Sequence, residues 1–387
     1  MTIMVLFDEK EKTFVATDQS TMDVLRNGHI GHREGQRTSL CTEEGLYLID
    51  ARKAKCTSLQ TGKEMKFNEI AMLFSQKEKF IARYFTYRDW RDRGLMISLP
   101  GMISGSGKAP VKKYPASRTS QDPDAATGVF FPEDLITIID DEKSGRSLYD
   151  KFWFGQYGTY KLGSHGNLNK LDVYETLFLI DNKRLSLQNA ARASVASAAS
   201  ERIKDFQKTY EIYKDWRSKG YVVKTGFKFG MHFRLYLPEA QPTAKGVKWA
   251  HSKHVINVFP REAKLIASEW ARAIRVAHSV KKTFILAVPG KSKKKSSGID
   301  FVLYYRKGGS AEAIENDPPS YAMLSFGEDE YIGGAELSAA IDSADKMKLA
   351  PVVAVADRET AVTYYKVNRV ELSGSSCEYY EIDWMQP

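Results

Sequence analysis

Cysteine is scarce in this 387-residue chain, and the three present, Cys41, Cys56 and Cys377, form no CxxC pair. That argues against a disulfide framework or a zinc knuckle, and it fits a reducing cytoplasm. Long apolar runs are also missing: LITII, TLFLI and FILAV are strand-sized, far short of the ~18 residues of a membrane span. The N-terminus, MTIMVLFDEKEK, turns acidic by residue 8 and lacks both the basic start and the long apolar core of a signal peptide. What is present is ordinary for a globular protein, with 43% hydrophobic and 27% charged residues. At roughly 150 residues per domain the length predicts two or three domains. The net charge of +9 favours an anionic partner without identifying it.

Internal similarity organises the chain. Tyr87-Arg-Asp-Trp-Arg-Asp-Arg-Gly94 recurs as Tyr213-Lys-Asp-Trp-Arg-Ser-Lys-Gly220, and Gly45-Leu-Tyr-Leu-Ile-Asp50 recurs as Thr176-Leu-Phe-Leu-Ile-Asp181. The pairs keep their order at offsets of 126 and 131, so a whole unit is duplicated. Each copy reads as a strand followed by a helix that Gly closes. A second repeat links Gly230-Met-His-Phe-Arg-Leu-Tyr236 to Gly298-Ile-Asp-Phe-Val-Leu-Tyr304 at an offset of 68. Ala273-Ile274 and Ala287-Val288 match Ala340-Ile341 and Ala354-Val355 at 67. The C-terminal part therefore reads as a copy of the second half of the middle unit. Val302–Tyr305 also matches Val362–Tyr365, which would make it the last strand of the middle unit instead; the sequence leaves both registers open.

Gly/Ser/Pro-rich breaks begin at Gly101 and at Pro289. Three tandem units follow: an N-terminal unit (1–104), a linker (105–128), a middle unit (129–290, in parts 129–205 and 206–290) and a C-terminal copy (291–387). The class is α/β or α+β with mixed sheets. Strands are expected at Leu135–Ile139, Val222–Phe229, Phe233–Leu237, His254–Phe259 and Thr283–Val288, and helices near 186–219 and 261–280.

Within the middle unit stands YKDWRSKGYVVKTGFKFGMHFRLYLP, then an insertion, HSKHVINVF, and ARAIRVAHSVKKTFILAV. This ordered block resembles the archaeal tRNA-splicing (tRNA-intron) endonucleases. The resemblance implies cleavage of precursor tRNA at bulge-helix-bulge sites, leaving a 2′,3′-cyclic phosphate and a 5′-hydroxyl. It places the general base on Tyr236, the acid on His251 and the charge-stabilising lysine on Lys282. An imidazole titrating near pH ~6.5 suits the acid, whereas a phenol near ~10 needs a nearby cation to become a base. The nucleophile is the substrate's own hydroxyl, so the scheme requires no metal or other cofactor. Arg275 matches a family arginine that sandwiches a bulged base.

The internal copy tests these assignments. Tyr236 maps to Tyr304, but His251 maps to Pro319 and Lys282 to Leu349, so the C-terminal copy lacks the acid and the lysine. Lys281 maps to Lys348, and a charge kept in both copies is not the catalytic one. Two further features stand out. The insertion PEAQPTAKGVKWA carries Lys245, Lys248 and Trp249, a set suited to phosphate contact and base stacking, or else an ordinary solvated loop. The inactive copy carries Glu328-Asp329-Glu330, flanked by Gly327, Gly333 and Gly334, which read as leaving this loop free to project. In the resembled family an acidic loop on the inactive copy docks into a basic cleft, so these acids are expected at the interface of a homodimer. A rival signal, Pro123-Asp124 followed by Asp141-Glu142-Lys143, fits the loose spacing of metal-dependent nucleases, though it lies in a linker and an acidic turn.

Overall fold

The first half of the chain contains the same small αβ arrangement twice. The computed structural model describes residues 2–101, 111–116, 123–158, 166–238, 240–242, 250–291, 298–307, 310–311 and 318–387. One five-stranded sheet runs His32–Glu34, Arg37–Leu40, Thr13–Ala16, Met4–Asp8, Lys55–Ser58. The other runs Gln156–Tyr157, Asn169–Asp172, Ile136–Ile139, Ala126–Phe131, Leu185–Leu187. Both end on a parallel pairing of the last strand with the first.

The Leu-Ile-Asp runs expected as strands are helices, Thr42–Ala51 and Val173–Asp181. A capping box explains the second: Asp172 accepts from the Glu175 amide at 2.8 Å while Glu175 accepts from the Asp172 amide at 3.1 Å. Every residue from Val173 to Leu179 is buried, so the helix carries apolar side chains all round and shows no amphipathic period. The single helix expected near 186–219 is two, Arg192–Arg202 and Phe206–Ser218, separated by Asp205 in the left-handed region at φ 53°. Lys79, at φ 60°, makes the same break before the matching helix Phe80–Asp92.

The second half builds one sheet of eleven strands among the described residues. Its centre is the antiparallel pair Val362–Leu372 and Glu378–Met385. Outward from Glu378–Met385 come Thr283–Val288, His254–Val258, Phe233–Tyr236 and Val222–Thr225. Outward from Val362–Leu372 come Ala350–Ala356, Tyr321–Gly327, Phe301–Leu303 and Ile97–Ser98. Each half holds one parallel pair joined by a helix, Ala267–Ser279 or Gly334–Lys346. The halves also meet through Lys264–Ile266 and Tyr331–Gly333, paired antiparallel about Leu265 and Ile332.

This order settles the open register. Phe301–Leu303 occupies the place of Phe233–Tyr236, as the offset of 68 requires, and the strand closing the middle unit's sheet is Glu378–Met385. The place of Val222–Thr225 is taken on the far side by Ile97–Ser98 from the N-terminal unit. That unit and the C-terminal copy share a core, with Trp90, Leu95 and Ile97 packed among Phe301, Leu303 and Tyr364. Arg83 ties them further, bonding Glu43 and Asp300 at 2.7 Å each. Among the described residues no helix is long and apolar enough to cross a membrane.

Candidate active site

Tyr236, His251 and Lys282 come off one edge of three neighbouring strands. Tyr236 ends its strand, and the preceding Leu235 stands opposite His254. His254 is also level with Thr283, whose amide donates to the Lys253 carbonyl at 3.0 Å, so Lys282 leaves the sheet beside residues 252–253. The Lys282 ammonium donates to the carbonyl oxygen of Ser252 at 2.6 Å. His251, one residue earlier, is exposed. Tyr236 is buried with its ring 4.6 Å from that of Trp153, a residue of the preceding αβ unit. Two units of the chain therefore meet at the tyrosine.

Arg234 escaped the sequence reading, although its spacing from Tyr236 puts both on one face of the strand. Its guanidinium donates to the Tyr236 hydroxyl at 3.3 Å and to the Thr225 carbonyl at 2.9 Å. Partial burial lowers the pKa of Lys282, and the positive charge of Arg234 lowers it further. The Arg234 guanidinium therefore occupies the position beside the phenol oxygen where the sequence reading asks for a nearby cation. Phe229 completes the surround, its ring 5.1 Å from the Lys282 ammonium.

His254 is buried, and its Nε2 lies 2.9 Å from the Tyr114 hydroxyl. Burial pushes its pKa down to about 4. Tyr114 belongs to a short strand, Lys112–Tyr114, of the linker, and its hydroxyl donates to the buried Glu381. His278 is exposed near a helix end, where its carbonyl accepts from the Lys281 amide at 2.9 Å. Lys281 and Lys348 explain their own repetition: both adopt the left-handed region, at φ 55° and 59°, just past equivalent helices. In the C-terminal copy, Tyr304 and Leu349 are buried at the positions of Tyr236 and Lys282.

Arg275 is exposed on the Ala267–Ser279 helix, near enough to Tyr365 for its charge to offset part of the upward shift that burial gives that phenol. Lys245, Lys248 and Trp249 lie outside the described residues. The acidic loop does not project freely. The carbonyls of Glu328 and Glu330 accept from the Ser268 and Ala267 amides at 3.0 and 2.8 Å, capping the helix of the catalytic half. Gly334 is needed for close approach, because a Cβ there would stand 2.7 Å from the Pro260 carbonyl oxygen. Asp329 stays exposed and pairs with Arg358 at 2.6 Å. The rival nuclease signal is engaged elsewhere: Asp141 caps the Glu142–Arg146 helix, and Asp124 accepts from Ser147 at 2.7 Å.

One sheet edge thus carries a buried phenol under a guanidinium, an exposed imidazole and a half-buried ammonium, groups whose chemistry includes proton transfer and the neutralising of an anion. The family model described as tRNA intron endonuclease, catalytic C-terminal domain, matches residues 206–297. The tRNA-splicing endonuclease of Methanococcoides burtonii is 25% identical over 72% of this chain and 93% of its own length. That of Methanopyrus kandleri is 36% identical over 37% of this chain and 79% of its own, and that of Thermococcus kodakarensis 30% identical over 38% and 82%. On these grounds the chain belongs to the tRNA intron endonuclease family and is an RNA endonuclease of the tRNA-splicing kind.

Proposed function

We propose that this endonuclease cuts precursor tRNA at bulge-helix-bulge junctions, by attack of the substrate's own 2′-hydroxyl. Tyr236 takes the proton from that hydroxyl as the 2′ oxygen bonds to phosphorus. His251 gives a proton to the 5′ oxygen as the phosphorus–oxygen bond breaks. Lys282 and Arg234 offset the charge on the five-coordinate phosphate. The products are a 2′,3′-cyclic phosphate and a 5′-hydroxyl. The observation that carries this reading is the tie from Lys282 to Ser252, which places the lysine beside the segment bearing His251. Arg275, Lys245, Lys248 and Trp249 contact RNA in the same scheme. One chain carries one catalytic and one inactive copy, so a homodimer supplies two of each, with Glu328, Asp329 and Glu330 at its interface.

Incubation of the full chain with a bulge-helix-bulge RNA in EDTA, followed by end-group analysis, tests the proposal. Cyclic-phosphate and 5′-hydroxyl ends are expected. Products only with Mg²⁺, carrying 5′-phosphates, would overturn it, and so would tight binding without cleavage.

A further inference from the structure

Phe227 is 91% exposed, the most exposed large hydrophobic side chain among the described residues. It is not on a loose loop. The Phe227–Phe229 turn is closed by bonds from the Phe229 amide to the Gly226 carbonyl at 2.8 Å and from the Gly230 amide to the Phe227 carbonyl at 3.0 Å. The Gly226 amide adds a bond to the His232 carbonyl at 2.9 Å. Two glycines make the turn possible. Gly230 sits at φ 65°, and a Cβ on Gly226 would come within 2.5 Å of the Met231 carbonyl oxygen. The backbone therefore holds an apolar ring in water, where folding gains nothing from it.

The surroundings indicate what covers the ring. Phe227 lines a cavity with Lys170, Lys224, Lys228 and Arg234, four cations against the carboxylates of Asp172 and Glu175. Both carboxylates are engaged inside the protein, Glu175 by Lys224 at 2.6 Å and Asp172 by the Glu175 amide at 2.8 Å. The surface facing outward is basic. The same turn reaches the catalytic edge through Phe229, whose ring lies 5.1 Å from the Lys282 ammonium, and Arg234, which shares the cavity with Phe227, touches the Tyr236 hydroxyl.

We infer that Phe227 is a stacking platform for an unpaired base of the bulge beside the cleaved phosphate, with Lys170 and Lys228 receiving the phosphate on that base's far side. The inference rests on the substrate proposed above and adds the residues that position it. Every base presents a π-face, so the platform holds any bulge nucleotide and leaves the choice of site to RNA shape.

The test places 2-aminopurine at each bulge position next to the scissile bond and follows fluorescence on binding to the full chain. Wild type should quench one position. Phe227→Ala should abolish that quench and weaken binding roughly ten-fold, the usual worth of one stacked base. Phe227→Trp should restore affinity and quench, and Phe227→Leu neither. Melting curves of all three variants should match wild type, because Phe227 is 91% exposed. Quench and affinity retained in Phe227→Ala would overturn the inference, as would full restoration by Leu. Those binding readouts hold whether or not RNA is cut, so loss of the proposed cleavage chemistry is seen separately, in the products of the wild-type reaction.

Discussion

The Lys282 ammonium and the Ser252 carbonyl lie 2.6 Å apart, joining the lysine to the segment that carries His251. In the proposed chemistry the lysine supplies a charge, and its bond to Ser252 also holds the backbone one residue after His251. Single replacements, His251→Ala and Lys282→Ala, should each lower the single-turnover rate by roughly 10²–10⁴-fold. The double variant should lose much less than the product of the two, because Lys282→Ala already loosens His251. Fully multiplicative losses in that cycle would separate the residues.

Lys281 gives the control. Its left-handed backbone, shared with Lys348, marks a helix-stop position, so Lys281→Gly should keep stability and cleavage close to wild type. Lys281→Val should cost about 1–2 kcal/mol in denaturant melts, the strain of a branched residue in that region. A larger cleavage loss from Lys281→Ala than from Lys282→Ala would overturn the register.

His254 predicts a pH dependence of stability. Burial lowers its pKa from 6.5 to about 4. The unfolded chain therefore takes up a proton first on acidification, and stability present above pH 6.5 is lost as pH falls toward 4. Wild type should be more stable than His254→Gln at pH 7, and the difference should shrink as pH drops through this window. An unchanged difference from pH 7 to pH 4.5 would mean that the imidazole is charged in the fold.

The catalytic half was readable because its signals are local. FRLY, HSKH and the lysine pair each precede or end a strand, and the strand Thr283–Val288 appears with the expected bounds. The misread elements depended on context. Thr176–Asp181 is helical through the Asp172–Glu175 cap and burial on all sides, which a bare apolar run does not reveal. The pairing of Ile97–Ser98 with Phe301–Leu303 joins segments some two hundred residues apart, and no local pattern marks it. Arg234 is legible in principle, two residues before Tyr236 on the same strand face, but its contact with the phenol depends on the side-chain geometry of the folded strand.

Asp329 tests the proposed assembly. Its side chain is 65% exposed while the loop backbone caps a helix of its own chain, so charge reversal should spare the fold. Asp329→Lys should give monomers in light scattering at moderate salt and lower cleavage sharply, with the circular dichroism spectrum of the folded chain retained. A fully active dimer would remove this loop from the interface.

The proposed nucleophile at the Tyr236–His251–Lys282 edge is the substrate's own 2′-hydroxyl. The direct measurement replaces that one hydroxyl by hydrogen, at the nucleotide 5′ to a single scissile bond, in an otherwise unchanged bulge-helix-bulge RNA. Affinity should be unchanged, with no cleavage at the modified junction and normal cleavage at the other. Cleavage at the deoxy position would contradict that assignment.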